Sequence, residues 1–229
     1  MKKTNLLLLC TYCLLLLGCD QGVVTNAEAV ISADSLISAV AGSTISDSGY
    51  KVGDTATDFK LKNVDGKMVS MADYKDAKGF IVTFTCNTCP YAVAYEDRII
   101  ALHNKYAPKG YPVIAINPND VNESWKDSYL HMQQRAKRKN FPFPYLHDET
   151  QEIARAYGAT RTPHLYIVQK QQDGKLKVAY IGTIDDNYRE PQQVQKKYAE
   201  AALDELIANK PVSQATTKAI GCTIKWRES

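Results

Sequence analysis

The sequence predicts one α/β domain on a mixed central β-sheet flanked by helices, with a β-hairpin at its start and a helical insertion. Three observations carry that expectation. Two apolar runs, Gly79–Thr85 and Tyr111–Asn117, flank a segment of helical periodicity, the pattern of a βαβ unit. Ahead of it, Asp65-Gly66 lies between two alternating segments and marks a hairpin. Beyond Thr162-Pro163, apolar runs His164–Gln169 and Lys177–Gly182 lie either side of Asp173-Gly174 and lead into an amphipathic helix.

Each element has a local cause. The folded body starts near Tyr50. Phe59 and Leu61 alternate with polar neighbours before the first turn, and Met68 to Met71 alternates after it. In the next strand Phe80-Ile81-Val82 is apolar at successive positions, which predicts burial on both faces. After Cys89, Tyr91, Tyr95, Ile99, Leu102 and Tyr106 recur at spacings of four, four, three and four, one face of a helix. Pro90 falls in its first turn, where a missing N–H matters least. Trp125, Tyr129, Met132 and Ala136 predict the inward stripe of an inserted helix whose solvated side carries Arg135, Lys137, Arg138 and Lys139. Phe141–Leu146, broken by Pro142 and Pro144, reads as a short strand or extended linker. Asp148 and Gln151 form a capping pair for a helix over Thr150–Tyr157, which Gly158 stops. The closing helix is expected from Gln192 to Asn209, with Val194, Tyr198, Ala202 and Leu206 inward.

The chemistry concentrates at Cys86-Asn87-Thr88-Cys89. Its place between strand and helix sets the first thiol at a helix N-terminus, where unpaired N–H groups and the dipole stabilise a thiolate. A free thiol, with a pKa of about 8.5, is mostly protonated at neutral pH, so such lowering matters. A second thiol within one turn makes release of a bound partner intramolecular. Thiol–disulfide exchange is the expected activity. A Cys-x-x-Cys is also half a zinc site, but closure needs four ligands, and only Cys222 and scattered histidines remain. His103 and His131 read as surface residues, His147 and His164 as packing or turn residues. No metal, and no cofactor beyond the redox-active Cys86–Cys89 pair, is expected. A purely structural disulfide there would close too small a loop to stabilise much.

A formal net charge of +3 points to no nucleic-acid partner. Of six cysteines, Cys10, Cys13 and Cys19 lie in the first twenty residues, which leaves too few for a disulfide-stapled scaffold. Lys2 and Lys3 precede an apolar run, Leu6–Leu17, shorter than the ~20 residues of a spanning helix. It ends in Leu16-Leu17-Gly18-Cys19, which resembles the lipobox of bacterial lipoproteins. That resemblance implies a signal peptide over 1–18, a lipid on Cys19, and export to a bacterial membrane with the domain facing the periplasm or the cell exterior. Residues 19–49, rich in Ala, Ser, Thr, Asp and Val, predict a flexible tether. The domain is expected over 50–229, with 210–229 as a C-terminal extension containing Cys222.

Strand, Cys-x-x-Cys, helix and a later Thr-Pro opening an antiparallel hairpin resemble the thioredoxin fold. Gly53-Asp54, Asp58-Phe59-x-Leu61 and Asp65-Gly66-Lys67 resemble its redoxin branch, the peroxiredoxin-like and membrane-tethered thioredoxin-like proteins of the AhpC/TSA type. The likeness spans about Tyr50 to Lys210. Phe84-Thr85-Cys86-x-x-Cys89-Pro90, with the tail Gly221-Cys222-Thr223-Ile224-Lys225-Trp226, is similar to a bacterial redoxin subgroup. The resemblance implies Cys86 as attacking nucleophile, Cys89 as resolving thiol and Pro163 as a cis-proline facing the disulfide. A cis-proline costs little beside a trans one. It would leave the carbonyl and N–H of Thr162 free to pair with an extended substrate. Protein thiols and disulfides, with an upstream thiol redox partner, are the implied partners.

The departures are specific. Asn87-Thr88 stands where thioredoxin has Gly-Pro, no Trp precedes Cys86, and Phe80 stands where thioredoxin carries a buried acid. Proton transfer to Cys89 is left to another group or water, with Glu96 as a candidate. Arg161 reads either as a charge favouring a thiolate or an acidic substrate, or as a surface cation. Peroxide reduction is the alternative function, since Thr83-x-x-Cys86 is half of the peroxiredoxin pattern Pro-x-x-x-Thr-x-x-Cys, with Gly79 at the proline position. Cys86 would then become a sulfenic acid that condenses with Cys89. A redoxin fold kept only as a binding module fits poorly with the intact Cys pair and Thr-Pro. Pro211–Ile220 lacks helical pattern, so the tail can lie back over the domain. Cys222 is then a third redox thiol or a cap near Cys86, or else a buried small hydrophobe beside Ile224 and Trp226.

Overall fold

The computed structural model describes residues 49–228. The expected leader, Cys19 and all of the tether but Gly49 lie outside the described residues. Eight strands make one sheet: β1 (Thr55–Ala56), β2 (Lys60–Asn63), β3 (Met68–Ser70), β4 (Gly79–Phe84), β5 (Val113–Asn117), β6 (Tyr145–His147), β8 (His164–Lys170) and β9 (Leu176–Gly182). A separate two-stranded ribbon joins β7 (Arg161–Thr162) to β10 (Cys222–Thr223). The large sheet runs β1-β9-β8-β4-β5-β6-β2-β3, parallel at β4–β5 and β5–β6 and antiparallel elsewhere. Helices α1 (Pro90–Tyr106), α2 (Tyr129–Lys139), α3 (Glu152–Tyr157) and α4 (Tyr198–Ile207) flank it.

The central strand β4 is buried at every position, as its apolar run predicts. Ile81 packs with Tyr95 and Ile99 of α1, Met132 of α2 and Leu203 of α4 on one face. Phe80, Val82 and Phe84 pack with Met71, Tyr157 and Ile224 on the other. The Asp65-Gly66 hairpin forms, with Gly66 at φ 88°, and Asp58 accepts the Met71 N–H at 2.8 Å, locking the hairpin to the next turn.

Several boundaries differ from the periodic reading, each for a local reason. Ser128, with extended backbone, starts α2, so Trp125 lies in a single turn outside it and is 62% exposed rather than inward. Arg135 turns inward instead of facing solvent, with Nε and Nη2 on Glu96 at 2.6 and 2.7 Å. Gln151 adopts φ 63° and α3 begins after it; the Asp148 carboxylate alone accepts the Ile153 and Ala154 N–H groups, at 3.4 and 2.8 Å. The closing helix starts at Tyr198, leaving Val194 outside it. The preceding backbone bonds the 185–187 loop, with the Gln195 N–H on the Asp186 carboxylate and the Asp186 N–H on the Lys196 carbonyl. His103 is half-buried, accepting the Val113 N–H on Nδ1, so it is not a surface residue. Strands β1, β7 and β10, two residues each, are too short to leave a period in the sequence. Among the described residues no helix is long and apolar enough to cross a membrane.

Candidate active site

β4 ends at Phe84, and the Thr85 N–H still bonds the Ile116 carbonyl at 2.8 Å before the chain turns into Cys86. Helix α1 opens with Pro90 at its first position, and its N-cap is Cys89. The second thiol, not the first, therefore stands at the helix N-terminus. Cys86 reaches back to that terminus by its sulfur, which accepts the Cys89 N–H at 3.4 Å. Both sulfurs are buried, and both meet Thr162, the residue before Pro163 across a cis peptide bond. The Thr162 hydroxyl lies 3.2 Å from Cys86 Sγ and its carbonyl oxygen 3.0 Å from Cys89 Sγ.

The two thiols divide one proton unequally. The hydrogen bond from Cys86 to Cys89, with burial and the Asp127 charge adding to it, holds the Cys86 thiol far above its ordinary range. That same bond brings Cys89 down to about 5, against the effect of burial. Cys89 is thus held for either state: as a thiol it donates to the Thr162 carbonyl, and as a thiolate it accepts the Cys222 N–H at 3.3 Å. The pair therefore favours ionisation at the helix-cap sulfur over Cys86.

The acid beneath the pair is Asp127, fully buried in the insertion ahead of α2. Its carboxylate accepts the Asn87 N–H at 2.6 Å, the Thr88 hydroxyl at 2.9 Å, the Ser124 hydroxyl at 2.6 Å and the Asn119 amide at 2.9 Å. Asn87 also donates its side-chain amide to the Lys126 carbonyl and accepts the Tyr145 hydroxyl at 3.0 Å. The Asn-Thr pair that replaces Gly-Pro is therefore the anchor of the loop. Sequence gave no warning of Asp127, because an aspartate in a polar loop reads as solvated. Glu96, the sequence candidate, is engaged by Arg135 and lies 3.8 Å from Lys139, and bonds neither sulfur.

The C-terminal tail covers the other side. Cys222 pairs with Thr162 and Thr223 with Arg161 in antiparallel register. The edge of Thr162 is thus taken by the chain itself, not left free. Gly221 permits this, since a Cβ there would lie 2.2 Å from the Thr162 oxygen. The Ile224 N–H bonds the Thr160 carbonyl, its side chain is buried, and the Lys225 carbonyl accepts the Asp120 N–H and the Gln151 amide. The tail does lie back over the domain, as its lack of helical pattern allowed.

Of the residues singled out by sequence, Cys86, Cys89, Thr162, Pro163 and Cys222 come together. Arg161 does not reach a sulfur by hydrogen bond; its guanidinium donates to the Gly221 carbonyl at 3.2 Å and so secures the tail. Thr83 stands within β4, and its buried hydroxyl bonds no described residue; the hydroxyl on Cys86 is that of Thr162.

The family model described as the AhpC/TSA family matches residues 52–179. A thiol-disulfide oxidoreductase, ResA of Geobacillus thermodenitrificans, is 27% identical over 136 residues, 58% of this chain and 71% of that protein. Among solved structures, an uncharacterized conserved protein of Geobacillus kaustophilus matches with TM-score 0.72 and 38% identity, over 79% of this chain and 94% of that one. A hypothetical protein of Sinorhizobium meliloti matches with TM-score 0.71 and 30% identity, over 79% and 97%. A peroxidoxin of Mycobacterium tuberculosis, at TM-score 0.51 and 17% identity over 69% and 97%, shares the fold. Fold and relatives together define a thioredoxin-like oxidoreductase. The chain belongs to the AhpC/TSA family, whose model covers more than half of it.

Proposed function

We propose that this chain is a thiol–disulfide oxidoreductase acting through Cys86 and Cys89 on protein or small-molecule thiols and disulfides. The observation that carries the reading is Thr162, which offers a hydroxyl to Cys86 and a carbonyl to Cys89 beside the cis bond to Pro163. Cys86 attacks a substrate disulfide while its proton passes to the Cys89 thiolate with which it is already shared. One substrate sulfur leaves as thiolate and the other stays bonded to Cys86. Cys89 then gives up its proton to the substrate thiolate already released, attacks Cys86 Sγ and releases the second substrate thiolate. The substrate is reduced by two electrons and the protein dithiol becomes the Cys86–Cys89 disulfide. An upstream thiol partner reverses these steps to restore the dithiol.

The test is a Cys89→Ser variant challenged with 5,5′-dithiobis(2-nitrobenzoate). Cys86 is expected to retain one nitrobenzoate as a stable mixed disulfide, whereas the wild type releases both. Release of both by the variant would overturn the assignment of the resolving thiol. Peroxide reduction is the rival outcome. Peroxide consumption with a dithiol donor, lost in Cys86→Ser and faster than free dithiol alone, would replace exchange as the activity.

We also propose that the protein is exported and lipid-anchored through Cys19. Support comes from Lys2, Lys3, the Leu6–Leu17 run and the Leu-Leu-Gly-Cys that ends it. Radiolabelled palmitate should enter the wild type and not Cys19→Ser, and the variant should leave the membrane fraction.

A further inference from the structure

Cys222 is the third sulfur of the site, and strand pairing puts it there. Its partner in register is Thr162, the residue that meets both other sulfurs. Gly221 allows the close approach, the buried Ile224 anchors the strand beyond, and the Cys222 N–H points at Cys89 Sγ from 3.3 Å. The Cys222 side chain packs against the Cys86–Cys89 pair. Cys89 is therefore the sulfur that the Cys222 strand already meets.

We propose that Cys222 is a third redox thiol, which exchanges with the Cys86–Cys89 disulfide to give a Cys89–Cys222 disulfide and a free Cys86. The proposal rests on the exchange reading above, which supplies the Cys86–Cys89 disulfide. Cys222, as thiolate, attacks Cys89 Sγ. The Cys89–Cys222 bond forms as the Cys86–Cys89 bond breaks, and the bonding electron pair leaves on Cys86. The proton given up by Cys222 ends on Cys86, so one disulfide and one thiol stand on each side and no outside oxidant is needed. As the electron pair arrives on Cys86, the Thr162 hydroxyl and the Cys89 N–H, at 3.2 and 3.4 Å, are already placed to meet its sulfur. Tethering by β10 makes the attack unimolecular. The result is a chain that holds its oxidising equivalent under the tail while Cys86 stays a thiol. A substrate strand that takes the Thr162 edge has to displace Cys222 to do so.

The full-length protein is oxidised with glutathione disulfide, quenched in acid, alkylated with N-ethylmaleimide, digested and read by tandem mass spectrometry. In the oxidised wild type the Cys222 peptide is expected to be cross-linked to the Cys86/Cys89 peptide. The alkyl label on Cys86 should stand about tenfold or more above its level in oxidised Cys222→Ser. In Cys86→Ser the same oxidant should give the Cys89–Cys222 cross-link in place of a glutathione adduct. Label found only on Cys222 in the oxidised wild type, with a glutathione adduct on Cys89 in Cys86→Ser, would overturn the third-thiol role alone. A Cys222→Ser protein that forms no Cys86–Cys89 disulfide would instead remove the exchange reading, and this proposal with it. The wild-type labelling pattern needs no variant to fold.

Discussion

Two walls enclose Cys86 and Cys89, and they are built on different physics. The insertion wall is a buried carboxylate, Asp127, surrounded by donors from Asn87, Thr88, Asn119 and Ser124. Of those donors the Asn119 amide is buried, and it finds no water if the carboxylate is lost; nor does the buried Asn117 amide, 3.3 Å from the same carboxylate. The tail wall is a short strand held by backbone bonds, one buried side chain in Ile224, and end contacts through Trp226 and Arg227 that face solvent. Most of those contacts can be exchanged for water when the strand lifts. The difference separates two tasks: the insertion fixes where the sulfurs stand, and the tail governs what reaches them. If so, damage to the first wall should register as global stability, and damage to the second as local opening.

The largest effect is expected at Asp127. Asp127→Ala should lower stability by about 3 kcal/mol, because it strands the buried amides of Asn117 and Asn119 and unties the Asn87–Thr88 loop. Asp127→Asn keeps the shape but turns an amide donor toward donors, and should cost about 2 kcal/mol. Urea denaturation followed by circular dichroism gives both values. An Asp127→Ala midpoint equal to wild type would end the claim that this wall is rigid.

Next comes pH, which links the tail wall to His164 at the start of β8. The Nδ1 of His164 accepts the Thr160 N–H at 3.4 Å, and the Thr160 carbonyl in turn receives the Ile224 N–H. An N–H can only donate, so this arrangement needs Nδ1 unprotonated. Burial lowers the His164 pKa to about 4. Between 6.5 and 4 the unfolded chain binds a proton that the folded chain refuses, so stability is complete above pH 6.5 and falls as the pH drops toward 4. The loss is about 3 kcal/mol at most, and His164→Gln should flatten it in urea titrations taken at successive pH values. A wild-type profile already flat across that window would show that the ring is not held neutral.

Ile224→Ala tests the tail itself. Full truncation in a core costs 2–5 kcal/mol. A strand that peels separately passes only part of that to the global midpoint, expected here at about 1–2 kcal/mol. The rest should appear as opening: alkylation of Cys89 by iodoacetamide is expected to rise about tenfold for each ~1.4 kcal/mol of lost docking. A full loss at the midpoint with unchanged alkylation would make the two walls one cooperative unit.

How much of this was legible in the sequence follows the same division. The sheet and α1 were readable because apolar period encodes them, and the cis Thr162–Pro163 bond was an expectation from the resemblance to the thioredoxin fold. That the tail could fold back was readable from what Pro211–Ile220 lacks. Asp127 was not, because burial of a polar loop residue depends on donors brought from Asn87 and Asn119, far apart in sequence. Nor was the inward turn of Arg135, which a helical wheel assigns to solvent and only Glu96 on α1 pulls in. The N-cap at Cys89 rather than Cys86 was hidden as well, since Pro90 is compatible with more than one helix start.

The smallest effect concerns the outer end of the tail, where the Arg155 guanidinium lies 4.5 Å from the Trp226 ring. A cation–π contact at such a solvent-facing site contributes about 0.5–1 kcal/mol. Arg155→Ala should therefore move the urea midpoint by less than about 1 kcal/mol. The protein has two tryptophans, and Trp125 is 62% exposed, so Trp125→Phe leaves Trp226 as a reporter of the tail alone. In that background Arg155→Ala is expected to shift Trp226 emission to the red while the midpoint hardly changes. The two readouts part only if the end of the tail is loose against a body that is not. A midpoint loss above about 2 kcal/mol would place Trp226 in the domain's cooperative core and erase the contrast between the walls.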